Sequence, residues 1–578
     1  MKKGLLILFL FPSLFFAQKK EKIPFDIIVP KLPKKEFKKL DFPSYLNDEN
    51  ELGKATRDVI VQLNSLSYLL AELDSVVWKE EKYMAYFNPH KPYQWVALKS
   101  GNAESDVIHK TNYKEKLFTA SKFKPKQIGN LFESIIQYYE NHGFPFVSVG
   151  LDSVEFLDNG IKANLNITKN KFYKIDSLII SGDAKVSESF IANYLSIKEG
   201  GAYNEAEIKK IDTRIKNLPF VEAFKPAEVI FTKEDCELTL FLKKRKASRF
   251  NGILGFQPDQ NGKIRFTGDI ELKLLNGFGH GEEIFFNWRN LSNQTQDLDV
   301  KFVYPYLLGT PLGFDYHLDL YKRDSSFLDV KNNIGFRYLF SANNYLKFVY
   351  TAESSNTLIK QTAFSSSLPE LNDVKVNAYG LGVHLEKLDY KLNPRKGFSL
   401  DFFASTGFKK IILPTDSNLL ENFKDIETNS TRYKAEISAD FFFPVYKRFI
   451  FNYGIRSAII ENNTIFKNEL YRIGGFKTLR GFDEESIFAS FYAINTFELR
   501  FILEQNSYLF AFTDVGYWEN NATALPATLH YQPTSFGGGI AFDSKVGIFS
   551  LTYAIGNEFN STFLIRSAKI HFGFVNYF

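Results

Sequence analysis

The sequence predicts a run of small α+β modules followed by a sixteen-stranded antiparallel transmembrane β-barrel, and three observations carry that prediction. Leu73-Asp74-Ser75-Val76 recurs 78 residues later as Leu151-Asp152-Ser153-Val154, within a mixed pattern of helices and strands. From residue 247 onward that pattern gives way to a two-residue alternation of apolar and polar side chains. Finally, 60 Phe, 30 Tyr and 4 Trp occur in a 578-residue chain whose mean hydropathy is only −0.20. Strands with one face toward lipid and the other toward a wet lumen account for that combination.

Composition excludes several alternatives. The net charge of +5 comes from 71 basic and 66 acidic side chains, without the marked basic excess of a nucleic-acid-binding protein. A single cysteine, Cys236, rules out an intrachain disulfide framework and a Cys-rich metal site. It falls in a predicted core strand and reads as buried and inert. The eight histidines are scattered, and neither an H-E-x-x-H nor a G-x-S-x-G pattern is present. No catalytic residue, metal or cofactor is therefore expected, and the chain does not read as an enzyme.

In chain order, Lys2 and Lys3 precede an apolar stretch from Gly4 to Ala17, the pattern of a secretory signal peptide over 1–17 cleaved after Ala17. Residues 18–45 carry Pro24, Pro30, Pro33 and Pro43 among eight lysines and read as an extended linker. The repeat region follows. Ile128, Leu131, Phe132, Ile135, Ile136 and Tyr139 form one apolar helical face. Ile208, Ile211, Ile215 and Leu218 form another before Pro219 ends that helix. Tyr173 to Gly182 reads as a strand running into a turn, and Glu237 to Leu242 as a closing strand. The unit is strand, helix, helix, strand, strand. Two full copies are predicted, at 91–170 and 171–246, after a partial copy at 46–90 that lacks its opening strand.

The barrel is predicted over 247–578. Strands are expected near 249–257, 263–275, 281–292, 295–306, 312–323, 327–340, 344–355, 374–388, 397–410, 431–443, 448–460, 487–503, 507–518, 534–543, 547–558 and 569–578. In 433–441 the apolar Tyr433, Ala435, Ile437, Ala439 and Phe441 alternate with Lys434, Glu436, Ser438 and Asp440. Long connections near 356–373, 411–430, 461–486 and 519–533 all follow odd-numbered strands. Short connections on one side and long ones on the other are the periplasmic and external ends of an outer-membrane barrel, which places the modules in the periplasm.

The order Tyr139, Gly143-Phe144, Val154 to Gly160 and Gly182 resembles the polypeptide-transport-associated (POTRA) domains, which handle partners through sheet edges. The connection after strand eleven contains Leu470-Tyr-Arg-Ile-Gly-Gly-Phe-Lys-Thr-Leu-Arg-Gly-Phe482. Leu479-Arg480-Gly481-Phe482 resembles the hallmark [VLI]-R-G-[FY] of the outer-membrane protein assembly and secretion superfamily. That superfamily includes the barrel-assembly, translocation-and-assembly and two-partner-secretion pores (the BamA/TamA-like bacterial surface antigen family). Asn393-Pro394-Arg-Lys-Gly397 resembles its N-P-x-x-G periplasmic turn, and Leu275-Asn-Gly-Phe-Gly-His-Gly-Glu282 its early hairpin.

The resemblance implies that the loop folds back into the lumen. A guanidinium there needs carboxylates, and Glu498 and Asp514 stand where the family places the arginine's partners. It also implies a working seam between the first and last strands, where Gly252, Gly255 and Gly573 weaken pairing and the terminal Phe578 belongs to a recognition signal. Asn576 departs from that signal, which usually has an apolar residue there. The implied function is assembly or translocation of unfolded outer-membrane or secreted proteins taken up by the POTRA domains, with outer-membrane lipid around the barrel and periplasmic chaperones or accessory subunits as further partners. The alternatives are a two-partner-secretion exporter passing substrate through the lumen and a passive porin, which has no need of the modules.

Overall fold

A computed structural model of the chain describes residues 22–158, 160–233, 236–258, 264–290, 295–359, 368–415, 417–476, 478–544, 547–557, 566 and 568–575. The expected signal peptide over 1–17 and the terminal Phe578 lie outside the described residues. The described residues form two compact units, one of those up to residue 173 with 202–206 and one of 174–201 with those from 207 onward.

The first unit contains two sheets of four strands each. In the first sheet, Ile23–Ile28 runs parallel to Lys82–Asn88, which pairs in turn with Glu72–Lys79, while Tyr45–Leu46 closes the other edge. This corrects the expectation of a linker over 18–45 and of a first module without its opening strand. Phe25, Ile27 and Val29 alternate inward and are buried with Leu46, Val59, Leu63, Ala85 and Phe87. Pro24 is tolerated because the parallel ladder begins one residue later, at Phe25 opposite Tyr83. The helix Leu52–Ser65 covers this sheet.

The second sheet has the order Thr119–Lys122, Gln94–Lys99, Gly160–Thr168, Ser148–Leu157, with the helix Pro125–Glu140 burying Leu131, Ile135 and Tyr139 against it. Both copies of the Leu-Asp-Ser-Val repeat lie on edge strands. The pairing register slips at each, between Leu73 and Ser75 and between Asp152 and Glu155. These are β-bulges, which twist an open edge away from unwanted pairing.

The second unit begins with a third sheet, Val221–Phe231, Cys236–Lys244 and Ile175–Ser181, in that order. The buried Cys236 lies in its central strand, with its thiol directed at the Lys174 carbonyl. Sixteen antiparallel barrel strands follow, from Arg249–Pro258 and Ile264–Leu275 to Gly547–Asn557 and Lys569–Val575. A short piece, Leu529–Tyr531, extends the ladder at the outer end of Tyr508–Asn520. Each strand pairs with the next in sequence. Among the described residues the first and last strands are the two ends of the sheet, so the barrel is nearly closed. Outward positions such as Phe336, Phe348, Tyr379, Phe402 and Leu499 are exposed, as a lipid-facing band requires.

The third module is seated on the barrel's short turns. The Ser187 amide donates to Gly279 O at 2.7 Å, Asn276 Nδ2 to Lys185 O at 2.9 Å, and Asn193 Nδ2 to Gly309 O at 3.1 Å. The Phe190 ring stands edge-on to Tyr306 and fills the space above Gly281, where a Cβ would collide with it. Gly281 also has φ +74, so both its backbone and its missing side chain are required. Glu282 is 1% exposed and accepts from the amides of Phe278 and His280, which fixes the turn that carries Gly281.

A Phe25→Ala substitution should cost about 3–5 kcal/mol, the range for truncating a buried aromatic. Limited proteolysis should then cut within 46–88 while the barrel stays resistant; an unchanged digest would mean that the opening strand is dispensable.

Candidate functional site: the lumenal loop

The connection between the barrel strands Phe449–Glu461 and Phe491–Ile502 folds as a small hairpin, Tyr471–Ile473 against Ile487–Ala489, with residues 474–486 as its tip. Apolar packing explains why it sits inside the protein. Leu479 and Phe482 are buried with Ile473, Ile487, Ala489, Ile494 and Trp518. That cluster buries the side chains on either side of Arg480 and holds the arginine against the wall.

The structure brings Arg480, Glu498 and Asp514 together. Arg480 Nε and Nη2 donate to the two oxygens of Asp514 at 2.9 and 2.7 Å, and Nη1 donates to Glu498 Oε2 at 2.7 Å. The guanidinium also stacks 3.4 Å from the centre of the Phe512 ring. Asp514 is fully buried and receives a further hydrogen bond from Thr496 at 2.9 Å. Glu498 accepts a second guanidinium, Arg500, at 2.8 Å, and Arg500 reaches Asn393 of the short turn 389–396. Two cations meet two anions, so the group is neutral and nearly every polar atom is matched. A fork-shaped donor against carboxylates is the geometry at which arginine outperforms lysine.

Gly481 crosses directly over Gly556. Its φ is +85, and a Cβ would lie 2.6 Å from the Gly556 amide. Phe482 then packs on Gly556, where there is no side chain in the way.

A second anchor, absent from the sequence reading, holds the other half of the loop to the facing wall. Glu469 accepts from Lys409 at 2.5 Å with both side chains fully buried. Arg432 grips Glu353 in two hydrogen bonds at 2.9 and 2.7 Å and lies 3.5 Å from Glu469. Arg472 pairs with Asp329 at 3.1 Å over the Tyr321 ring, and Asn468 donates to Ser355 at 2.6 Å. The alternating charges of strands six to ten are visible in the sequence as a lumenal face. Nothing in it indicates which of them meets a loop residue dozens of positions away.

At the sheet ends, Gly252 pairs opposite Ile270, Gly255 opposite Thr267, and Gly573 opposite Ser550, whose hydroxyl occupies the space a side chain at 573 would need. Asn393 is buried and ties its turn to the neighbouring one through Gln505 O at 3.0 Å.

The family model described as an Omp85 superfamily domain matches residues 276–576, and that of the POTRA surface antigen variable number repeat matches residues 173–240. The chain is similar to the outer membrane protein assembly factor BamA of Buchnera aphidicola subsp. Acyrthosiphon pisum, 25% identical over 101 residues. That match spans 17% of this chain and only 16% of the relative. Its fold is like that of CdiB from Escherichia coli, with TM-score 0.54 and 11% identity over 92% of this chain and 97% of that one. CdiB from Acinetobacter baumannii gives the same TM-score at 13% identity over 84% and 90%.

Replacing Arg480 by Ala should leave the buried Asp514 without a cation, while Glu498 keeps Arg500, at a cost of about 3–5 kcal/mol, lowering the temperature at which the folded barrel loses its compact gel mobility and exposing the loop to protease. Arg480→Lys should fall between, because the charge remains and the fork is lost; a lysine variant equal to wild type would show that charge alone suffices.

Proposed function

The chain belongs to the Omp85 superfamily, and from that premise we propose that it inserts other proteins into the bacterial outer membrane or moves them across it, its POTRA modules facing the periplasm. Unfolded outer-membrane or secreted proteins are the substrates, delivered with or without periplasmic chaperones or accessory subunits. Their extended strands add to open module edges and then to the seam between the first and last barrel strands, where backbone hydrogen bonds supply the affinity. The work is non-enzymatic: strand pairing and release into lipid drive it, with no catalytic residue.

The observation that carries this reading is the loop anchored to both walls of the lumen, through Arg480 on one side and Glu469 and Arg472 on the other. A passive porin has no need of the modules that precede this barrel. Export through the lumen would require both anchors to release, whereas strand templating at the seam leaves them in place.

Depleting the protein and then inventorying the outer membrane should show loss of many barrel proteins; loss of a single secreted protein would instead identify an exporter. A disulfide joining cysteines placed in strands one and sixteen should abolish assembly and spare lumenal export, and full assembly by the locked form would overturn the seam mechanism.

A further inference from the structure

Beyond the arginine, the loop tip follows the inner side of the seam. Phe476 lies against His571 of the last strand, ring centres 5.6 Å apart. Gly481 and Phe482 cross Gly556 of the strand before it. Asp483 then pairs with Lys569 of the last strand at 2.6 Å. Two residues on, Glu485 pairs at 3.1 Å with Arg289 of the third strand, Glu283–Asn290, and Arg289 also holds Asp297 of the fourth. Loop residues two positions apart therefore reach the barrel on either side of the break in the strand order.

Distances agree with this arrangement. From strand sixteen across strands one and two to strand three is about 14 Å at the ordinary spacing of paired strands. The chain turns between Asp483 and Glu485, with the Ser486 amide donating to Asp483 O, so most of that distance is covered by the side chains of the two acids and of Lys569 and Arg289.

We propose that Asp483 and Glu485 form a clasp that holds the seam shut from the lumenal side, Asp483 on the last strand and Glu485 on the third. The clasp couples the loop to the seam: displacing the loop tip frees Lys569 and leaves Arg289 to Asp297 alone. It is also weak by construction, since Asp483 and Lys569 are partly solvated and such pairs contribute little each. A seam that opens for each client needs a fastening of that kind, while the buried Arg480 group stays fixed. The inference rests on the seam being the working exit.

The test is a spin-label distance measurement across the seam, in membranes and without client. Labels on Phe250→Cys and Ile570→Cys, which are both outward and exposed, report strand one against strand sixteen, with Cys236→Ala removing the native thiol. Asp483→Asn with Glu485→Gln should raise the ratio of long to short distances on the order of fivefold, the loss expected of one solvated pair and of one shielded pair whose arginine keeps Asp297. Exchanging the charges as Asp483→Lys with Lys569→Asp should restore the short distance that Lys569→Asp alone loses. An unchanged distribution in the neutralised variant, or an exchange no more closed than the single change, would overturn the clasp. Lys569→Gln with Arg289→Gln repeats the test from the barrel side should the loop variants not fold, as judged by heat-dependent gel mobility. Because no client is present, failure here is separable from failure of client assembly, which the depletion inventory reads.

Discussion

A guanidinium inside a narrow protein lumen must have its charge and its donors matched, and much of the barrel interior is organised around meeting that demand for Arg480. Asp514 and Glu498 meet it directly, on adjacent strands whose register sets them diagonally, Glu498 opposite Phe512 and Asp514 opposite Thr496. Glu498 is balanced in turn by Arg500, and Arg500 reaches Asn393 in a turn at the opposite end of the barrel from the loop's attachment. The matched charges therefore run from the loop motif down the wall to the rim of short turns. Phe512 and the pair of glycines at 481 and 556 supply the flat contacts that allow the approach.

Buried ion pairs of this sort add little net stability compared with apolar packing, but they are costly to break one partner at a time. Their effect is to choose one position for the loop among the many that greasy packing would accept. With Glu469 and Arg472 fixed on strands six to ten and Arg480 on strands twelve and thirteen, the loop becomes a strut across the lumen. The two ends differ in character. The Glu469 end is wholly buried and dry, whereas the tip beyond Phe482 is open to water.

The barrel was readable because period-two alternation and the parity of loop lengths are independent signals that agree, and because each of the sixteen strands is long enough to show the pattern. Arg480's partners were readable because its motif resembles that of a known family and Glu498 and Asp514 stand where that family places the arginine's partners. The opening strand of the first module was hidden. Six residues with Phe25 and Ile27 inward are too few to establish a period against flanking prolines and lysines, and the strand's partner lies more than fifty residues downstream. The Lys409–Glu469 and Arg432–Glu353 pairs were hidden for a different reason. They depend on how the loop folds back across the barrel, which no local pattern encodes.

The hairpin at residues 276–282 has a consequence for how such proteins can be recombined. Gly281 admits the Phe190 ring of the preceding module only because it has no side chain, and Glu282 shapes the turn that presents it. Module and barrel are thus keyed to one another by a knob on one and a notch on the other. A chimera that takes its barrel from one relative and its last module from another would need the aromatic and the glycine from the same parent, so the start of the barrel is a poor joint for swapping parts.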